Sequence, residues 1–139
     1  MALTHQFAII PKDSNEKLVS ADMNVIEVPD YLICYFKDSL QWIYSSWNGK
    51  VKKQGISYYG YSVVENGQIE KFMGIISQWK KLFELAPAEF CITGEYLPDK
   101  KQYKKIDINK EETLQLLDDL VCICKYAIEK EAKILHNGI

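Results

Sequence analysis

Four cysteines (Cys34, Cys91, Cys122, Cys124) and two histidines (His5, His136) are the residues of this chain best suited to nucleophilic or metal chemistry. A cysteine nucleophile works as the thiolate, which a nearby His, Lys or helix N-terminus must favour. The immediate neighbours of these cysteines are apolar, the pattern of reduced thiols packed in a core. Cys122 and Cys124 stand two apart on a helical stretch, so their side chains diverge by about 200° and cannot share a metal. The histidines lie near opposite ends of the chain without ligand spacing, so the residue types predict no metal site. Cys91 or Cys124 with His136 is the one enzyme-like pairing left. Two carboxylate pairs, Glu111/Glu112 and Asp118/Asp119, resemble acid–base partners only on paper. The first falls in the opening turn of a helix, where negative charge suits the dipole, and the second on that helix's polar side.

No G-x-S-x-G elbow, Walker A loop or G-x-G-x-x-G run is present. All 17 basic residues are lysine. The chain therefore lacks the guanidinium fork that grips phosphate, carboxylate or guanine in two places at once. Lysine and tyrosine interleave at Tyr96, Lys100, Lys101, Tyr103, Lys104 and Lys105. Even so, residues 50–109 hold only ten lysines against seven acids. That surplus is small beside the roughly 6–10 phosphate contacts of an effective nucleic-acid binder. No basic n-region with an apolar core and cleavage site opens the chain, and its longest apolar runs fall far short of the ~18 residues of a membrane span. The expectation is a cytoplasmic, metal-free protein without direct nucleic-acid or membrane binding.

The elements that must position these groups follow from periodicity. With 139 residues, 47% hydrophobic, and a net charge of −2, the chain suits one globular domain spanning residues 1–139. His5 to Ile10 reads as a strand, closed by Pro11 and the polar run Lys12 to Lys17, and Asn24 to Val28 as a weaker one. Asp30 is placed to cap a helix carrying Leu32, Phe36, Leu40, Ile43 and Trp47, ended by Asn48-Gly49. Tyr31 to Phe36 fits a strand as well, so the helix rests on residues 38–47. Gly55 to Val64 is aromatic and β-branched, hence a strand. A helix follows over 68–85, its stripe Ile69, Phe72, Met73, Ile76, Trp79 and Phe83 facing inward. Glu89 to Leu97 and Gln102 to Ile108 form a hairpin. Asn109 caps the last helix, whose inward residues continue to Leu135, with Gly138 as its C-terminal cap. The sum is an α+β domain, a mostly antiparallel sheet with about three helices on one face. The three tryptophans fall on or near apolar helical stripes and are expected in the core.

Nine tyrosines exceed what a core of this size needs, since each buried phenol requires a partner. Alternation places Tyr59, Tyr61, Thr93, Glu95, Tyr103, Lys105 and Asp107 on the outward face of the sheet. Aromatic anchors inside a charged rim have the character of a protein-recognition surface, although an ordinary solvated sheet face explains the same alternation. A pocket between sheet and helices, lined by Trp42, Trp79 and tyrosines, is the alternative site, for a small or regulatory ligand. An unpaired sheet edge also leaves homodimerisation open.

The run Gly55-Ile56-Ser57-Tyr58-Tyr59-Gly60-Tyr61 is followed by a helix ending Trp79-Lys80-Lys81-Leu82-Phe83-Glu84-Leu85-Ala86-Pro87. A strand through Ile92-Thr93-Gly94-Glu95-Tyr96 comes next, and the chain finishes Ile134-Leu135-His136-Asn137-Gly138-Ile139. Over residues 55–139 this order resembles the small bacterial immunity proteins of polymorphic-toxin and contact-dependent growth-inhibition systems. The resemblance implies a cytoplasmic, cofactor-free protein that binds one cognate toxin domain and blocks it without catalysis. It carries no catalytic residues with it. Against a nuclease toxin, acidic contacts would serve, such as Glu95, Asp107, or the region of Glu27, Asp30 and Asp38.

Overall fold

A computed structural model describes residues 3–13 and 25–139. The expected loop residues 14–17 and the first residue of the second strand, Asn24, lie outside them. The elements run β1 (Thr4–Ile10), β2 (Ile26–Pro29), α1 (Asp30–Tyr35), α2 (Lys37–Leu40), β3 (Tyr44–Trp47), β4 (Val51–Gln54), β5 (Tyr61–Val64), α3 (Gln68–Glu84), β6 (Glu89–Leu97), β7 (Gln102–Asn109), α4 (Lys110–Glu129) and β8 (Lys133–Asn137). The fold is α+β, as the residue pattern predicts. Six strands form one antiparallel sheet in the order β2-β1-β8-β5-β3-β4, and β6-β7 stands apart as a two-stranded sheet.

Strand alternation divides the core. Phe7, Val64 and Ile134 meet α3 through Ile69, Phe72 and Ile76, and α4 through Leu117, Leu120 and Cys124. Ile10, Val63 and Leu135 form a smaller cluster with Tyr61 on the opposite face. The helix stripes predicted for α3 and the front of α4 hold. The Asn109 side chain accepts the Glu112 amide at 2.9 Å, a cap of the kind that contributes about 1 kcal/mol.

Three expected elements are corrected. Residues 44–47, read as helix, form β3. The run Tyr-Ser-Ser-Trp has strand-forming ends, and its pairing with β4 and β5 outweighs a helical spacing of apolar residues. The part left open, Tyr31 to Phe36, takes the helical of its two readings, as α1 through Tyr35. Asp30 does not cap α1, because its carboxylate is engaged elsewhere and no side-chain cap bond forms there. Residues 55–60 are not strand; Gly55, at φ 77°, turns the chain between β4 and β5.

The last helix also ends early. Glu131 takes a left-handed conformation at φ 54°, Ala132 N donates to Ala127 O at 2.8 Å, and Glu131 N to Ile128 O at 3.3 Å. This hydrogen-bonded stop releases residues 133–137 as β8, in the middle of the sheet. Gly138 is therefore no helix cap but lies just past that strand. Trp79 is buried, stacked on Phe36 at 4.4 Å, whereas Trp47 is half-buried and Trp42 is 60% exposed, against the expected core positions. No helix among the described residues is long and apolar enough to cross a membrane.

Candidate functional site

Although 131 residues apart in sequence, His5 and His136 are brought together by the pairing of β1 with β8. His5 Nδ1 and His136 Nε2 lie 2.9 Å apart, the rings stack with centroids at 5.1 Å, and both residues are fully buried. Asp30, the first residue of α1, reaches His5 Nε2 with Oδ1 at 2.8 Å. Tyr58, ahead of β5, donates its hydroxyl to the same oxygen at 2.6 Å. The Cys34 thiol, one turn along α1, points at Asp30 Oδ2 at 3.6 Å and lies 3.7 Å from the Tyr58 hydroxyl. Four segments distant in the chain are thus tied through one carboxylate.

That carboxylate sets the order of protons. Ionised Asp30 only accepts, so His5 presents Nε2–H to it. In the neutral pair His5 Nδ1 then accepts from His136 Nε2–H. His136 Nδ1 is left buried with no hydrogen-bond partner among the described residues. Burial, and next the His5 ring beside it, push the His136 imidazole down to about 3. A proton on Nδ1 would have no acceptor. Burial also acts to raise Asp30, but the hydrogen bonds from Tyr58 and His5 and the attraction of His5 outweigh it, and its acidity is increased. Tyr58 is pushed up, first by burial and then by its bond to Asp30.

Chemically, the cluster holds its protons rather than passing them on. Burial raises the Cys34 thiol although the residue as a whole is exposed, and its contact with the Tyr58 hydroxyl offsets this only in part. Burial alone holds Cys124 up at about 12. Cys91 is raised, chiefly by its 3.1 Å bond to Asp107 and then by desolvation. The expectation that all four thiols are core-packed is corrected, since only Cys124 is buried. The cysteine tied into the histidine cluster is Cys34, not Cys91 or Cys124. Among the described residues no group of three or more His, Cys, Asp or Glu is arranged to hold a metal ion.

The chain end locks onto the same place. Gly138 N donates to Gly60 O at 2.7 Å and Ile139 N to Tyr58 O at 3.0 Å. A Cβ on Gly138 would overlap the Tyr58 carbonyl and crowd Gly60 O, both of them backbone atoms that cannot swing aside. Gly138→Ala is accordingly expected to cost about 2 kcal/mol, the worth of the two bonds it disrupts, read as a lower urea midpoint. The runs Gly55–Tyr61 and Ile134–Ile139 thus meet at one polar junction.

A second feature opens at the base of the hairpin. A cleft of about 810 Å³ lies among β2, α1, α4, β6 and β7. Glu27, Glu89, Asp107 and Glu112 line it, over apolar Leu32, Phe90, Ile108 and Leu116, and among the described residues no cationic side chain does. Tyr31 stands in its wall with its phenol pushed up, first by burial and then by Glu112. Of the acids singled out in the sequence, Glu27 and Asp107 converge here. Asp30 is engaged by the histidine cluster, Asp38 sits on α2, and Glu95 lies on the hairpin. Glu112, expected from the sequence as charge in the opening turn of a helix, and Glu89, which has no periodic signal, complete the set.

The expected recognition residues fall into two groups. Thr93, Glu95, Tyr103, Lys105 and Asp107 are all exposed on the hairpin, with Lys105 Nζ donating to Thr93 Oγ1 at 3.0 Å and Tyr103 against Tyr96. Tyr59 precedes β5 and is 81% exposed, while Tyr61 begins β5 and packs on the minor core cluster. The two groups lie on different sheets. The expected Trp42–Trp79 pocket does not form the cleft, which neither tryptophan lines. No family model matches the chain, and no curated protein or solved structure matches it either.

Proposed function

We propose that this chain is a cytoplasmic immunity protein of a bacterial polymorphic-toxin or contact-dependent growth-inhibition system, which binds its cognate toxin domain and neutralises it without catalysis or cofactor. The observation that carries the reading is the cleft. Four carboxylates converge over an apolar floor with no cation among the described lining residues, a surface complementary to a basic protein partner. The raised thiols of Cys34 and Cys124 and the neutral, buried His136 also favour binding over covalent chemistry. The hairpin tyrosines and the exposed Tyr59 supply aromatic anchors in a chain without arginine.

Co-expression with the toxin domain encoded beside its gene tests the reading. Protected cells and a co-purifying complex are expected. A toxin that kills despite co-expression, or turnover of a substrate by the purified chain, contradicts it. The size of the cleft favours one second reading, a small ligand, which would have to be polycationic to suit these walls. A cation that co-purifies and is displaced by Glu89→Lys would support that reading instead.

A further inference from the structure

β6 and β7 form a sheet of two strands, and such a ribbon keeps both outer edges open unless something covers them. The two edges differ. Along β6, Thr93 pairs with Lys105 and Tyr96 with Tyr103, so Gly94 and Glu95 together oppose the single Lys104. That bulge breaks the edge, and α1 packs against the same strand. β7 carries no extra residue, runs straight into α4, and among the described residues pairs with no strand on its outer edge. The edges of the large sheet are short, β2 with four residues ending in Pro29 and β4 with four residues including Lys52 and Lys53. β7 has eight, in which Lys104 and Lys105 are joined by an acid, Asp107, two residues beyond Lys105.

The backbone phase of β7 is fixed by the bond from Lys110 N to Ala88 O at 3.1 Å. By antiparallel alternation, residues 106 and 108 turn their amides and carbonyls toward β6. Lys105 and Asp107 turn theirs toward the open edge. The side chains of these two residues share the outward face, opposite Thr93 and Cys91.

We propose that the open edge of β7 pairs antiparallel with β7 of a second copy, about a two-fold axis through Ile106. In that register Lys105 lies opposite the partner's Asp107, and Asp107 opposite the partner's Lys105. Both pairs fall where the outward backbone groups of the two strands meet, and both side chains are on one face. Moving the axis one residue either way sets Lys105 against the partner's Lys105, or Asp107 against the partner's Asp107. Opposed like charges penalise both alternatives. The charge pattern therefore selects one register as well as permitting pairing. The same arrangement carries the partner's turn, with Lys100 and Lys101, past Asn109 toward Glu111 and Glu112. Two hairpins become one four-stranded sheet, and an interface of that size makes a weak, concentration-dependent dimer. This inference needs no toxin, but Asp107 also lines the acidic cleft, so the dimer and the complex of the functional reading would compete for it, and the chain alone is the sample that tests the dimer.

Sedimentation velocity of the chain alone, from low micromolar to near-millimolar, tests it. Wild type is expected to pass from monomer to dimer, less readily at high salt. Lys105→Glu and Asp107→Lys are each expected to weaken association by about tenfold or more, since either opposes like charges twice. An equimolar mixture of the two variants is expected to dimerise again, because the glutamate introduced in one then faces the lysine introduced in the other. Recovery on mixing also shows that both variants fold. A wild type monomeric throughout, a dimer indifferent to both reversals, or a mixture that stays monomeric would each overturn the proposal.

Discussion

Acidification from pH 7 to about pH 4 is expected to lower the free energy of unfolding by about 3 kcal/mol, most of it through His136. The folded state holds this imidazole at about 3, below its ordinary value of 6.5, because it is buried beside a second ring. A histidine depressed by folding binds its proton more tightly once unfolded. Its stabilising contribution is therefore complete above about pH 6.5 and is lost progressively as pH falls toward 3. Asp30 acts in the same direction at lower pH. Its folded-state acidity is increased from an ordinary 3.8, so its contribution is present above that value and disappears as the carboxylate protonates. Urea midpoints recorded at intervals from pH 7 to 4 should fall in this window. His136→Leu should flatten the curve between 6.5 and 4. A wild-type midpoint constant over that range would show that the imidazole is not held neutral.

The second large effect concerns Asp30. Asp30→Ala is expected to destabilise the chain by about 3 kcal/mol at neutral pH, because hydrogen bonds to a charged group contribute about 1.5–3 kcal/mol each and their buried donors lose their acceptor. His5 Nε2, fully buried, has no substitute for a carboxylate oxygen at 2.8 Å, and the Tyr58 hydroxyl loses a bond of 2.6 Å. Cys34→Ala, which removes only thiol contacts of 3.6 and 3.7 Å, should change stability by no more than about 0.5 kcal/mol. The contrast separates the carboxylate as the tie among four segments from a role centred on the thiol. The Asp30→Ala deficit should narrow in acid, where wild type loses the same charge. Equal effects of the two substitutions would contradict this assignment.

What could be read from the sequence, and what could not, follows from the range of the interactions. The α3 stripe, the hairpin and the Asn109 cap are local patterns, complete within a few turns or one strand pair. β8 was hidden because Ile134 and Leu135 continue the apolar spacing of α4, and a short buried strand has no period to distinguish it. The usual signal for the break is glycine, yet the left-handed residue here is Glu131. Losing β8 also hid the histidine pair, since only its pairing with β1 brings His136 beside His5. Asp30 shows the same logic. Its position before an apolar stripe reads as a cap, and its true partners lie 25 and 28 residues away. Alternation alone sets Thr93, Tyr103, Lys105 and Asp107 on one hairpin face, but the bulge at Gly94 and Glu95 breaks it, so Tyr96 rather than Glu95 pairs with Tyr103 there. Setting Tyr59 and Tyr61 on the same face required strand order, which alternation does not contain.

The cleft and the histidine cluster occupy neighbouring positions in the chain but do different work. Pro29 and Leu32 line the cleft, while Asp30 between them turns its carboxylate to His5 and Tyr58. The cluster thereby anchors the start of α1, which forms one wall of the acidic surface. A rigid, preformed wall reduces what association would otherwise lose in ordering side chains.

The most direct measurement is the association rate of the purified chain with the toxin domain encoded beside its gene, followed at low and high salt for wild type and for Glu27→Lys/Glu89→Lys. Binding steered by the cleft predicts a fast, salt-sensitive rate for wild type. The double reversal should slow it about tenfold or more at low salt and leave little salt dependence. No complex with that domain, or a complex whose rate and affinity ignore the double reversal, would contradict the account.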